Sequence, residues 1–189
     1  RVGDEALLYF TNTIDRADLT AETLRVTERE FDEARTLVDP KVVDSMTRAI
    51  MNVKKFHEEQ MPKSWITNRA YGSILGQKIT PLDSVGIYVP GGTAAYPSSV
   101  IMNAVPAKVA GVPRIVMAAP PGKDGKLNPY VLVTAEKIGI TEIYKMGGAQ
   151  AIAALAFGTA TVPKVNKITG PGNIFVTLAK KADIWACGY

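Results

Sequence analysis

Three glycine-rich stretches carry the side chains and backbone most able to hold a ligand: Val89-Pro90-Gly91-Gly92-Thr93, Met146-Gly147-Gly148-Ala149-Gln150 and Thr169-Gly170-Pro171-Gly172-Asn173. Each follows a β-branched run and leads into a helical one, so unpaired backbone N–H groups and the positive end of a helix can face a bound anion or polar group. Glycine lets the backbone come close to that ligand. One such loop reads as turn chemistry; three on one edge of a sheet point to a pocket. Gln150 and Asn173 stand at helix starts with amides that both donate and accept. For Asn173 a simple N-cap is the plainer reading, whereas glutamine is a less usual cap. Tyr88 precedes the first glycine pair and Tyr96 follows it, each either a core residue or a ring against a ligand.

No named phosphate motif is present. Gly170-Pro171-Gly172-Asn173-Ile174-Phe175 lacks the third glycine of the dinucleotide fingerprint, and neither Gly122-Lys123 nor Gly125-Lys126 continues into the Ser or Thr of a P-loop. Other chemistries lack their residues. A catalytic zinc takes three protein ligands and keeps one position open, yet the only histidine is His57, beside Phe56, and the only cysteine is Cys187. Beyond Ser64 the acids are Asp83, Asp124, Glu136, Glu142 and Asp183, none of them in a glycine-rich stretch. The expectation is therefore no metal ligands and no catalytic acid or base in this chain.

Composition narrows the setting. With 47% hydrophobic residues in 189, the chain can bury one good core. A lone cysteine rules out an internal disulfide and suits a reducing, cytoplasmic compartment. No run approaches the roughly 20 apolar residues of a membrane helix, and the charged start, which opens on Arg1, does not read as a signal peptide. Residues 1–63 hold 10 basic and 13 acidic side chains, while residues 64–189 hold 12 basic and 5 acidic. The second part thus favours an anionic partner. Its lysines are scattered without interleaved aromatics, which argues against nucleic acid and makes an ordinary solvated surface the plainer reading; a phosphate-bearing cofactor would suit the same field.

The elements that must position the loops are legible from periodicity. Residues 1–63 read as a helical arm: Thr27-Glu28-Arg29-Glu30 has the capping-box form, Asp39-Pro40 is a second helix start, and Val42, Met46, Ala49, Ile50, Val53 and Phe56 recur on one face. Residues 64–84 read as short strands leading to the core. From 85 to 189 strands at 85–89, 114–118, 142–146 and 165–169 alternate with helices at about 98–110, 129–138, 149–157 and 173–181. That order predicts an α/β fold with a doubly wound, mostly parallel sheet.

With these motifs placed, the chain resembles the N-terminal part of histidinol dehydrogenase. The likeness runs from the helical arm to about Lys181 and is densest in Gly86-Ile87-Tyr88-Val89-Pro90-Gly91-Gly92, Tyr96-Pro97-Ser98-Ser99-Val100, Pro106-Ala107-Lys108-Val109-Ala110-Gly111, the stretch from Gly147 to Gly158, Val162-Pro163-Lys164-Val165 and Gly170-Pro171-Gly172-Asn173. The resemblance implies a homodimeric, zinc-dependent enzyme that oxidises L-histidinol through L-histidinaldehyde to L-histidine with two NAD. It also implies incomplete Rossmann-like domains, and NAD contacts at Tyr88, Gln150 and Asn173. The family's zinc ligands and its Glu-His proton-handling pair have no counterpart here, and after Lys181 the segment Ala182–Tyr189 departs from the family pattern. The expectation is a shortened chain, inactive alone, that holds most of the cofactor side. The alternative is a non-catalytic nucleotide- or anion-binding or assembly module.

Overall fold

The computed structural model describes residues 2–91 and 96–182. Four strands, β3 (Ser84–Tyr88), β4 (Arg114–Ala119), β5 (Glu142–Lys145) and β6 (Lys167–Thr169), form one parallel sheet in the order β5-β4-β3-β6. Their β-branched and apolar residues suit strands covered on both faces; every residue of β3 is buried. A separate antiparallel hairpin pairs β1 (Trp65–Asn68) with β2 (Ile74–Gln77), Trp65 standing opposite Gln77. Trp65, Ile66, Ile74 and Leu75 of this hairpin are exposed.

Helices cover both faces of the parallel sheet. On one, α4 (Pro97–Val109) and α5 (Pro129–Ile138) pack over Val85, Ile87, Ile115 and Met117, with α2 (Glu28–Leu37) and α3 (Pro40–Glu59) laid against them. On the other, α1 (Gly3–Ile14), α6 (Gly148–Phe157) and α7 (Ile174–Ala182) enclose Leu7, Leu24, Tyr88, Val116, Ile152 and Leu155. The outer edge of β5 is not left bare: Val26 N donates to Ile143 O, and Lys145 N donates to Leu24 O. Exposed strand edges invite unwanted pairing, and residues 24–26 close this one.

The element order matches the alternation expected from sequence, and α5 has the expected bounds. β6 is shorter than 165–169 because Val165 turns its N–H to Leu155 O in α6, and Asn166 turns its own to Ser84. None of the helices among the described residues is long and apolar enough to cross a membrane.

The helix starts carry their predicted chemistry. Asp39 accepts from Lys41 N at 2.8 Å. Thr27 and Glu30 form the capping box, with Thr27 N donating to Glu30 Oε2 at 2.9 Å. Glu30 also makes a second bond, in which its Oε1 takes Lys145 Nζ at 2.9 Å, the lysine side chain being 6% and the glutamate 16% exposed. One carboxylate thus fixes the start of α2 to the carboxyl end of β5. Losing it strands a buried ammonium, so Glu30→Ala is expected to cost about 3 kcal/mol. Thr27→Ala, which removes only a cap, should cost about 1 kcal/mol. Urea unfolding of the two variants checks the order; equal losses would mean that the ion pair adds nothing.

Candidate functional site

All four parallel strands end on the same edge, and ligands of open α/β sheets lie in the crevice outside that edge, where the strand order reverses. Here β4 and β5 extend the sheet to one side of β3 and β6 lies on the other, so the reversal falls between β3 and β6. The loops that follow are the three glycine-rich stretches together with Pro120-Pro121-Gly122 after β4.

These loops are packed on one another. Pro120 is wedged between its two neighbours: a Cβ added to Gly91 would lie 2.3 Å from Pro120 Cγ, and one added to Gly147 would lie 2.5 Å from Pro120 Cβ. On the far side of β3, Gly170 has φ +121° and brings its Cα against the backbone of Tyr88, where a Cβ would meet the carbonyl oxygen at 2.1 Å. Only glycine fits at these contacts.

Tyr88 is 3% exposed and its ring belongs to the core. Its hydroxyl nevertheless reaches the edge, accepting from Gly148 N at 3.1 Å. Burial pushes the phenol above its usual range; the Gly148 contact opposes the rise and the Asp15 charge adds to it. Gln150 stands in the first turn of α6, with Oε1 beside Gly148 and Nε2 buried without a hydrogen-bond partner. A buried donor left unpaired is uncommon and marks either strain or the seat of a missing group. Asn173 is exposed and does act as a cap, its Oδ1 accepting from Val176 N at 3.1 Å; among the described residues its Nδ2 donates to none.

The structure therefore joins Tyr88 to the Gln150 loop through Gly148, and to the Asn173 loop through Gly170. Tyr96 lies nearby, lining a cleft of about 290 Å³ with Val89, Pro90, Pro120, Pro121 and Leu127. Gly92 and Thr93 of the first glycine-rich stretch, and Asp183 and Cys187, lie outside the described residues. His57 sits apart on α3, edge-on to Phe56 at 5.3 Å between ring centres.

Three contributors escaped sequence reasoning. Lys180 of α7 folds back to donate to Gly170 O at 2.6 Å, and burial pushes its pKa down. Pro120 had no motif to flag it. Asp15, one turn past Thr11 at the end of α1, is half-buried; desolvation raises its pKa, and its Oδ2 has no partner. The arrangement can hold a polar ligand through amide and backbone donors. Among the described residues no group of three or more His, Cys, Asp or Glu side chains could hold a metal ion.

Comparison with known proteins is consistent along nearly all of the chain. The family model described as histidinol dehydrogenase matches residues 1–186, past Lys181. Histidinol dehydrogenase of Heliobacterium mobile is 58% identical over 179 residues, covering 95% of this chain and 42% of the relative. That of Bacillus subtilis is 56% identical over 179 residues, with the same coverage. The crystal structure of histidinol dehydrogenase from Elizabethkingia anophelis superposes with a TM-score of 0.93 at 40% identity, covering 97% of this chain and 42% of that one. The chain thus spans about 42% of the length of the relatives it matches.

The packing of the loops is open to direct test. Gly147→Ala should overpack against Pro120 and cost about 2 kcal/mol, a fall in Tm of about 4–8 °C for a chain of this size. Gly170→Ala adds a strained backbone to a clash with a rigid carbonyl and should cost more. Thermal melts giving Gly170→Ala the milder effect would contradict the packing described.

Proposed function

The chain belongs to the histidinol dehydrogenase family, and on that footing we propose that it forms the cofactor-holding part of an NAD-dependent histidinol dehydrogenase. The reaction is that of the family, oxidation of L-histidinol through L-histidinaldehyde to L-histidine at the end of histidine biosynthesis. NAD, when bound, would supply the acceptor for hydride from the carbon being oxidised. One observation carries the reading: the buried, unpartnered Nε2 of Gln150, beside the Tyr88–Gly148 contact and at the edge where such sheets bind nucleotides.

The residues present fit a dinucleotide. Gln150 supplies a preformed amide donor already stripped of water, so pairing it with the ligand relieves a standing cost. Tyr88 holds the Gly147–Gly148 turn in place by accepting from Gly148 N, which sets the first turn of α6 and its free N–H groups toward the ligand. Asn173 keeps its Oδ1 in the cap and offers Nδ2 outward. Lys180 steadies the Gly170 carbonyl and adds a positive charge beside that loop, in the part of the chain where basic residues outnumber acidic ones.

Zinc, which the family implies, does not fit the described residues. The metal and the proton-handling groups would then come from the length of the relatives that this chain does not span. A homodimer acting in the cytoplasm on L-histidinol, with neither nucleic acid nor membrane as partner, is the setting this reading carries with it. Nothing in the geometry favours a free-standing anion-binding or assembly module over it.

Calorimetric titration with NAD tests the reading. The chain should bind NAD, and Gln150→Ala should weaken binding by about tenfold, the worth of one well-placed buried hydrogen bond. With L-histidinol, NAD and zinc together, no NADH should form. Absence of NAD binding, or turnover by this chain, would overturn the proposal in its first or second part respectively.

A further inference from the structure

The carboxyl ends of β3 and β6 hold a cation that the fold has left short of partners. Lys180 stands about 9 Å along the axis of α7 from Ile174. Side chains on a helix lean toward its N-terminus, and Lys180 Nζ returns to donate to Gly170 O at 2.6 Å. Gly170 is the first residue past β6, and it packs against the backbone of Tyr88, the last residue of β3. The ammonium therefore sits where the strand order reverses, at the crevice in which open α/β sheets take their ligands. Lysines near the neighbouring strand ends are already engaged: Lys145 pairs with Glu30 at 2.9 Å and Lys126 with Glu33 at 2.7 Å. Lys180 has no carboxylate partner among the described residues, and burial alone pushes its pKa down.

We propose that Lys180 is a phosphate-binding residue of this site, its ammonium held in place by the Gly170 carbonyl and given to a phosphate of the bound nucleotide. The inference rests on the proposed function for the nature of the ligand, and on the geometry for the residue. An ammonium has three donors; one goes to Gly170 O, and the others meet no partner among the described residues. A half-buried cation in that state carries a desolvation cost that one neutral carbonyl offsets only in part. An anion in the crevice meets the charge and the spare donors together, and lysine serves phosphate as a compact point charge. A lysine on a free stem would lose rotamer freedom on binding. Here the bond to Gly170, itself backed by β3, has already ordered the side chain, which lowers that cost. Asn173, on the same loop, leaves its Nδ2 without a partner among the described residues. The loop thus offers a neutral donor and a charge side by side.

The test compares Lys180→Met and Lys180→Arg with the unaltered chain in calorimetric titrations with NAD at several salt concentrations. Lys180→Met is expected to bind NAD about tenfold more weakly. Its affinity should also depend less on salt, since the charge that salt screens is gone, and Lys180→Arg should recover part of both. Affinity unchanged in Lys180→Met would overturn the proposal. So would a loss of affinity that leaves the salt dependence as it was, which is the mark of a lysine that only props the loop. Should Lys180→Met not fold, the 15Nζ resonance of Lys180 in the unaltered chain decides: inorganic pyrophosphate must move it, and an unmoved signal overturns the proposal. The same resonance separates the two readings. If the chain binds no NAD, the proposed function fails, while a shift with pyrophosphate still upholds Lys180 as a phosphate ligand. NAD bound equally well by Lys180→Met leaves the function standing and removes Lys180 from it.

Discussion

The architecture of the edge depends on Tyr88. Its backbone carries the last hydrogen-bonded register of β3, its carbonyl is the surface on which Gly170 packs, and its hydroxyl accepts from Gly148 across the top of the sheet. Loops 60 and more residues beyond Tyr88 in the chain are thereby held to one strand end. Glycine is required at the second of these contacts, where a Cβ on Gly170 would run into the Tyr88 carbonyl. The Pro120 wedge repeats the device on the β4 side, where Gly91 and Gly147 make room for a rigid ring. The result is a set of loops whose backbone donors are preorganised rather than gathered by the ligand, which lowers the ordering cost of binding.

A parallel sheet without the dinucleotide fingerprint thus still gathers packed glycine-rich loops at one edge. In the fingerprint, three glycines in one loop provide the turn, the close approach and the helix packing. Here those roles are spread over separate loops: Gly170 approaches β3, Gly147 yields to Pro120, and the turn into α6 is braced from below by a phenol. The cation at the edge is distributed too, since Lys180 reaches Gly170 from the far end of α7.

Much of this was legible in the sequence. The short β-branched runs and the period-3.6 runs announced the parallel strands and their helices, because strands buried on both faces need β-branched residues and because the loops between them need glycine. Thr27, Glu30 and Asp39 announced two helix starts through local chemistry alone, and the resemblance to histidinol dehydrogenases was carried by the same glycine-rich stretches. What could not be read was anything that depends on which loop lies beside which. The wedge of Pro120, the return of Lys180 and the second bond of Glu30 to Lys145 join residues whose separation carries no periodic signal. Asp15 is a further case, since its charge acts on the Tyr88 phenol from a helix far away in the chain. Tyr88 stood as either core or ligand contact, and the structure puts its ring in the core and its hydroxyl at the edge.

The central claim is that the preorganised edge around Tyr88 is where a dinucleotide sits. The most direct measurement is a map of backbone amide resonances as NAD is added. The account predicts perturbations concentrated at Gly147–Gln150 and Gly170–Asn173, with the opposite edge of the sheet silent. Perturbations centred instead on the cleft between α3, α4 and α5, lined by Lys54, Lys108 and Lys137, would contradict it.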